Sequence, residues 1–394
     1  MGAIIPGEEC ARVYSYLGLD RAYRNAGAGV GASSWWSPAR IPGCQLLWCG
    51  NVSAYPNAVA FPVGGLVNGD FEGAAGPPPA GWTQNLSLIT REAGARTGGA
   101  GSYVLRIAHD GINASGMAYQ TLSVAGNTYR LRGWARGDGT SVPAVGDSAY
   151  RWTGTASTAW QQFDVSWAAL ATTSPRLYGT VLSAGHYVEF DDVTFECLNV
   201  SQATDLTGLG HNLLQATAAS QPRWVASGAG GVLRFDGATD IMASGAFARN
   251  QTHQIVLGVN YGASVGGAVR YFADGNTINT AVCGRQPGTK ATMCYAGSTL
   301  NGPSVANFSE NCILDFTFSG ASSALGYNGA AQTVGDAGAS NASGLTIGGG
   351  TGTAPTYCPC DIWAIALFNA ALSESERQRV IRWMRRQGRL LGVL

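Results

Sequence analysis

The sequence predicts an all-β protein: two tandem β-sandwich (jelly-roll) domains with an irregular N-terminal segment and one C-terminal helix. Three observations carry this. Charged residues make up only 12% of the 394, about half the usual share for a soluble domain. Glycine occurs 56 times, which suits short strands joined by turns and does not suit helices. Strand-like runs recur at short intervals with turn residues between them. The apolar share of 45% is enough to fill two cores, and a disordered chain would be less apolar and more charged. The length itself implies two to three domains.

Residues 1–65 form the first expected region. It holds Trp35, Trp36 and Trp48 with few alternating runs. Residues 9–20 could make a short helix, 25–34 read as a glycine-rich loop, and Leu46-Leu47-Trp48 as a short strand. A segment this small and aromatic is expected to fold against something else and so to serve as an anchoring or oligomerisation segment. Plain packing on the next domain is the other reading.

Residues 66–200 form the second region. Strand-like runs cover 103–107, 118–124, 128–135, 161–167, 176–182 and 187–195. In the third, Tyr129, Leu131 and Gly133 alternate with Arg130, Arg132 and Trp134, the period of a half-buried strand. Residues 201–394 form the third region, with runs over 254–259, 269–272, 313–318, 345–348 and 361–368. Its end predicts the helix. Ser373 and Glu376 make a capping box, and Val380, Trp383 and Met384 an apolar stripe. Arg379, Arg382 and Arg386 lie on another face and read as solvated surface.

Formal net charge is zero, so no large field recruits nucleic acid or an acidic membrane. Lys290 is the sole lysine, which reads as a coding bias toward arginine. No apolar stretch reaches membrane-spanning length, and Met1-Gly-Ala-Ile-Ile-Pro followed by two glutamates does not read as an export signal. The nine cysteines cannot all pair internally and show no zinc spacing. They read as small buried thiols, with a Cys283–Cys294 hairpin bridge as the alternative.

Catalytic patterns are sparse. His109, His186, His211 and His253 are scattered without metal or triad spacing, and no nucleophile elbow or phosphate loop occurs. Glu189 and Asp191 alternate along one run, but Val193 takes the next position of that face and stops a hydrolase-like carboxylate row. For sugar binding, exposed aromatic platforms are needed. Trp82, Trp134, Trp152, Trp160 and Trp167 are available in the second region, with Tyr119 and Tyr150 beside them. Trp134, opposite Leu131 and Gly133, and Trp152, in a polar stretch, are the predicted platforms.

The second region resembles jelly-roll carbohydrate-binding modules of the kind attached to xylanases and glucanases. The likeness rests on Asn68-Gly69-Asp70-Phe71-Glu72 with Gly81-Trp82, on 129–136, on Trp160-Gln161-Gln162-Phe163 and on Phe190-Asp191-Asp192-Val193. It implies that Trp82 and Trp160 are structural. It also implies a structural calcium held by Glu72 and Asp192, with Asp70 or Asp191 beside them. The third region is similar to concanavalin A-type, laminin-G-like lectin sandwiches. Here the likeness rests on 233–240 and on the ending 365–373 with Glu376-Arg377-Gln378. Asp236 and Asp240 are expected to stabilise a turn.

Together these readings lead to an expectation of a non-enzymatic phage virion surface protein, a capsid decoration, head fibre or tail component made in the host cytoplasm. It would attach through residues 1–65 to major capsid or tail proteins and display its sandwiches to glycans, as a homo-oligomer, by analogy a trimer. A cellular secreted carbohydrate-binding protein is the alternative, and a glycoside hydrolase stands behind both.

Overall fold

A computed structural model describes residues 36–52, 59–60, 66–73, 76–94, 96–99, 101–122, 125–169, 174–262, 269–277, 279–286, 290–305, 307, 309–350 and 356–394. The expected helix over 9–20, the loop over 25–34 and Cys10 lie outside these residues. The described residues are predominantly strand, paired antiparallel, with one α-helix, Glu374–Leu390. They fall into two compact units. One is Phe61–Ser201 with Ala216–Arg223; the other holds the described residues before 61, Gln202–Gln215 and Trp224–Leu394.

The first unit is a sandwich of two five-stranded sheets. One sheet has the order Gln161–Ala168, Thr128–Arg136, Tyr187–Cys197, Tyr103–Ala108, Leu88–Ala93. The other runs Thr83–Asn85, Gly116–Tyr119, Arg176–Thr180, Val142–Gly146, Tyr150–Thr153. Alternation in Thr128–Arg136 is regular, with Tyr129, Leu131, Gly133 and Ala135 buried and their neighbours half-exposed. Side chains from both sheets fill one core that includes Phe71, Trp82, Leu131, Phe163, Leu177 and Phe190. Trp82 belongs to it, and its Nε1 donates to the Asn68 carbonyl at 3.0 Å. A polar tip that finds a backbone acceptor lets a large ring be buried without an orphaned donor.

The second unit is built on an eight-stranded and a nine-stranded sheet. Its central strand, Pro359–Phe368, is buried along nearly its whole length and pairs with His253–Asn260 on one side. The other side is shared end to end, by Gly230–Asp236 along 359–362 and by Cys44–Cys49 along 364–368. This corrects the expected boundary at 65. Leu46, Leu47 and Trp48 are fully buried and complete the sheet of the second unit, because a run of large apolar residues is stable only where both its faces are covered. Residues 44–49 are therefore part of the sheet of this unit.

The helix is capped as the sequence predicts. Ser373 Oγ accepts from the Glu376 amide, and the Glu376 carboxylate accepts from the Ser373 amide at 2.9 Å. Val380, Trp383 and Met384 face the core, joined by Ile381. All eight described cysteines are buried free thiols. Cys283 and Cys294 stand directly opposite each other in register without a bond between them.

Candidate functional site

The two outer faces of the first sandwich differ in kind. On the sheet that contains Thr128–Arg136, the outward side chains are tied to one another. Arg130 pairs with Asp164 and Arg132 with Glu196. Arg106 and Arg136 both donate to Glu189, whose side chain is 1% exposed. Guanidinium groups also cover the rings: Arg136 lies 4.6 Å from the Trp160 centroid, Arg106 3.9 Å from Tyr187 and Arg96 4.3 Å from Trp134. The predicted platform Trp134 is thus on the outer face, half-buried, with Arg96 laid over it.

Glu189 and Asp191 share this face, opposite Arg136 and Trp134. Val193 does not share it, which corrects the period-two reading. The register shifts between Asp191 and Thr194, and Asp192 takes φ 49°, so a bulge turns Val193 into the core at 3% exposure. Bulges re-aim the residues that follow them, and the outward row resumes with Thr194 and Glu196.

The second sheet presents a different surface. Ala118, Leu177 and Val145 point inward, so alternation turns Met117, Tyr119, Arg176, Tyr178 and Thr180 outward. Arg176 stands between Tyr119 and Gly146, and Gly146 is opposite Tyr150. The Tyr150 and Tyr178 rings meet edge to face with centroids 4.8 Å apart. Tyr150 is 54% exposed. Tyr178 donates from its hydroxyl to the Asp147 carbonyl, and burial pushes its phenol above the ordinary value. Arg176 Nε is shielded from solvent and has no hydrogen-bond partner.

Trp152, the other predicted platform, turns the opposite way. It sits opposite Val145, packs against the core and meets Phe163 at 5.6 Å. The cause is a register shift between Val145 and Gly146, which places Trp152 and Tyr150 on opposite faces. The signal for Tyr178 and Arg176 was present, as alternation within 176–180, but nothing in that run says which of its faces is outward.

The residues expected at a cation site surround one loop. Glu72 Oε1 accepts from the Ser102 and Tyr103 amides at 2.7 and 2.8 Å. Asp191 Oδ2 accepts from the Arg96 amide at 2.9 Å, and Asp192 Oδ2 from Arg96 Nη2 at 2.8 Å. Asp70 accepts from the Glu72 amide. Burial, with the neighbouring Asp192 charge adding to it, pushes the Asp191 carboxyl above its ordinary range. Glycines make room here. A Cβ at Gly99 would lie 2.9 Å from Asp192 Oδ2 and 3.3 Å from Asp191 Oδ2, and one at Gly101 2.2 Å from Glu72 Oε1. Among the described residues, no three His, Cys, Asp or Glu side chains converge at ligating distance. Each of these carboxylates is instead held by amide or guanidinium donors.

In the second unit the expected turn is present. Asp236 Oδ1 accepts from the amides of Ala238, Thr239 and Asp240, and Asp240 Oδ2 from that of Asp236. The histidines are dispersed, each with its own partner. His253 is buried, stacked on Phe318 at 4.8 Å, with Nε2 3.1 Å from Arg249 Nη2. His186 pairs with Asp138, His211 with the Gln45 carbonyl, and His109 with the Gly111 amide. Arg379 and Arg382 are exposed, and Arg379 stacks on Trp36 at 4.5 Å. No helix among the described residues is long and apolar enough to cross a membrane.

No family model matches the chain, and no curated protein does. Solved structures match parts of the chain at low similarity. The binding domain of Paraclostridial Mosquitocidal Protein 1 is 13% identical with a TM-score of 0.37, over 47% of this chain and 50% of that one. Trypanosoma rangeli sialidase in complex with the inhibitor DANA is 12% identical with a TM-score of 0.35, over 75% and 53%. The galactotriose-bound module TmCBM61 is 16% identical with a TM-score of 0.25, over 34% and 97%. The chain thus spans about half the length of the toxin domain and of the sialidase.

Proposed function

We propose that this chain is a non-enzymatic glycan-binding protein of a virion surface, and that the tyrosine face of the first sandwich is where it grips sugar. One observation carries the glycan reading: Tyr119, Tyr150 and Tyr178 share a sheet face with Arg176. Sugar C–H faces stack on aromatic rings while nearby donors fix hydroxyls. On the opposite face Arg130, Arg132, Arg106 and Arg136 are each paired with a carboxylate.

The non-enzymatic reading is supported by Glu189. A glycosidase needs two carboxyl groups about 5–10 Å apart, one free to give up a proton. Glu189 instead holds two arginines, the setting of a structural ion pair. Within the same proposal, Glu72 and Asp192, with Asp70 or Asp191 beside them, hold a structural calcium ion. The particle's major capsid or tail proteins are the attachment partners, and the working unit is a homotrimer.

A glycan array with the purified chain tests the binding reading. Retention of a defined glycan set, weakened about ten-fold in Tyr150→Ala, is the expected result; an array blank in both overturns it, and reducing ends released from bound glycans overturn the non-enzymatic reading. Immunogold labelling of native particles tests the location: regular label on heads or tails supports it, and label on cell surfaces or secreted complexes overturns it.

A further inference from the structure

We infer that the tyrosine face takes a carboxylated glycan, one built from uronic or sialic acid residues, and that Arg176 is the residue that reads the carboxylate. The inference rests on the glycan reading above and names the class of sugar that the same face selects.

The strand sequences separate the two sheets by charge. On the sheet of Thr128–Arg136, arginines and acids occur together and pair with one another. The five strands of the other sheet, Thr83–Asn85, Gly116–Tyr119, Val142–Gly146, Tyr150–Thr153 and Arg176–Thr180, carry two arginines and no acid. One of the two, Arg151, is neutralised: its Nε and Nη2 each donate to the Asp147 carboxylate at 3.0 Å. Among the described residues, no carboxylate pairs with Arg176. Its charge lies near the Tyr178 hydroxyl, a neutral group that already donates to the Asp147 carbonyl. The positive charge of Arg176 is therefore uncompensated on this face.

Its position suits it to a sugar. Thr83, Tyr119, Arg176, Gly146 and Tyr150 are successive partners across the five strands, a row roughly 19 Å long at the usual strand spacing. Arg176 is the midpoint of that row, and Tyr178 follows it on the same face. Tyr150 is exposed, and Tyr119 and Arg176 are half-buried. An oligosaccharide laid along the row, stacked on Tyr119 and Tyr150, brings its ring substituents to the guanidinium. The guanidinium fork matches the two coplanar oxygens of a carboxylate, which a hydroxyl cannot imitate. A neutral sugar leaves the charge unmatched, whereas a uronate or sialate pairs with it where the tyrosines reduce screening by water.

An array of uronate-containing and sialylated oligosaccharides, each printed beside its carboxyl methyl ester, tests this with the purified full chain. Sulfated neutral oligosaccharides complete the array. The ester keeps the sugar ring and removes the charge. The native chain is expected to retain the acids about ten-fold better than their esters, the loss of one charge-assisted pairing. Arg176→Gln should retain acid and ester alike, at the level of the native chain on the ester. Arg176→Lys should keep part of the preference, since it supplies a point charge without the fork. Tyr150→Ala should weaken acid and ester together. Equal retention of acids and esters by the native chain, a comparison that needs no variant, overturns carboxylate selection and leaves the glycan reading intact. A preference for acids that survives in Arg176→Gln overturns the role of Arg176. Sulfated sugars retained above all carboxylated ones overturn the assignment of the carboxylate. A blank array removes the glycan reading, and the inference with it.

Discussion

Tyr150 and Trp152 belong to one short strand, yet their rings lie on opposite faces of the sheet, because the register shifts between Val145 and Gly146 where that strand pairs with its neighbour. Tyr150 reaches the Tyr178 ring on the outside, and Trp152 meets Phe163 in the core. The two are therefore expected to respond differently to truncation. Tyr150→Ala should weaken glycan binding about ten-fold, the loss of one stacking contact, at nearly native Tm. Trp152→Ala should lower stability by about 2–4 kcal/mol, less than for a fully enclosed ring. Binding on the array and denaturant unfolding, measured on both variants, check this; equal stability losses would place both rings in the core.

Leu47→Ala checks whether residues 44–49 are part of the second sandwich. Leu47 is fully buried and pairs with Ala366. Truncation should cost about 2–5 kcal/mol by opening a core cavity, read as a lower denaturant midpoint with an unchanged slope. A separate anchor would leave the midpoint where it was.

Arg377 offers a sharper test of packing in the same unit. It bridges the terminal helix to Asp315, Nε to Oδ1 at 2.9 Å and Nη2 to Oδ2 at 3.1 Å, with the two side chains 3% and 0% exposed. Removing one partner strands a buried charge, so Arg377→Ala should destabilise by about 3–5 kcal/mol. Replacing both, as Arg377→Met with Asp315→Leu, should recover most of that loss. A double variant as unstable as the single one contradicts the argument.

Acid should weaken the second unit through His253. Burial first, and then the charge of Arg249, lower its pKa from 6.5 to about 3. Its neutral form is thus the folded form. Above pH 6.5 the group takes no proton in either state and the stability is complete. As pH falls below 6.5 the unfolded chain gains a proton that the folded chain refuses, so stability drops by up to about 1.4 kcal/mol per pH unit until pH nears 3. His253→Gln should flatten this part of the profile relative to the native chain. Parallel profiles for the two proteins between pH 6 and 4 would show that His253 does not govern it.

Much of the fold was legible in the residues. Alternation in 128–136 identified both faces of that strand, and the capping box and apolar stripe located the terminal helix. Short strands such as Val142–Gly146 and Tyr150–Thr153 escaped, because glycine, proline and threonine there carry little periodic signal. Of the predicted platforms, Trp134 lies outward and Trp152 inward. Glu72 accepts from Ser102 and Asp192 from Arg96, and Arg96, which also lies over Trp134, belongs to no motif and is near none of these partners in sequence.

The sequence by itself determined what repeats locally: strand-forming runs, the turns between them and the helix cap, since each depends on neighbours within a few residues. Tertiary structure alone decided which face of a strand is outward after a bulge. It also joined Cys44–Cys49 to Pro359–Phe368 across more than three hundred residues. The reason is physical. A register shift of one residue exchanges the two faces of a strand, and a long-range pairing is settled by which apolar edge remains uncovered once the rest of the sheet has formed.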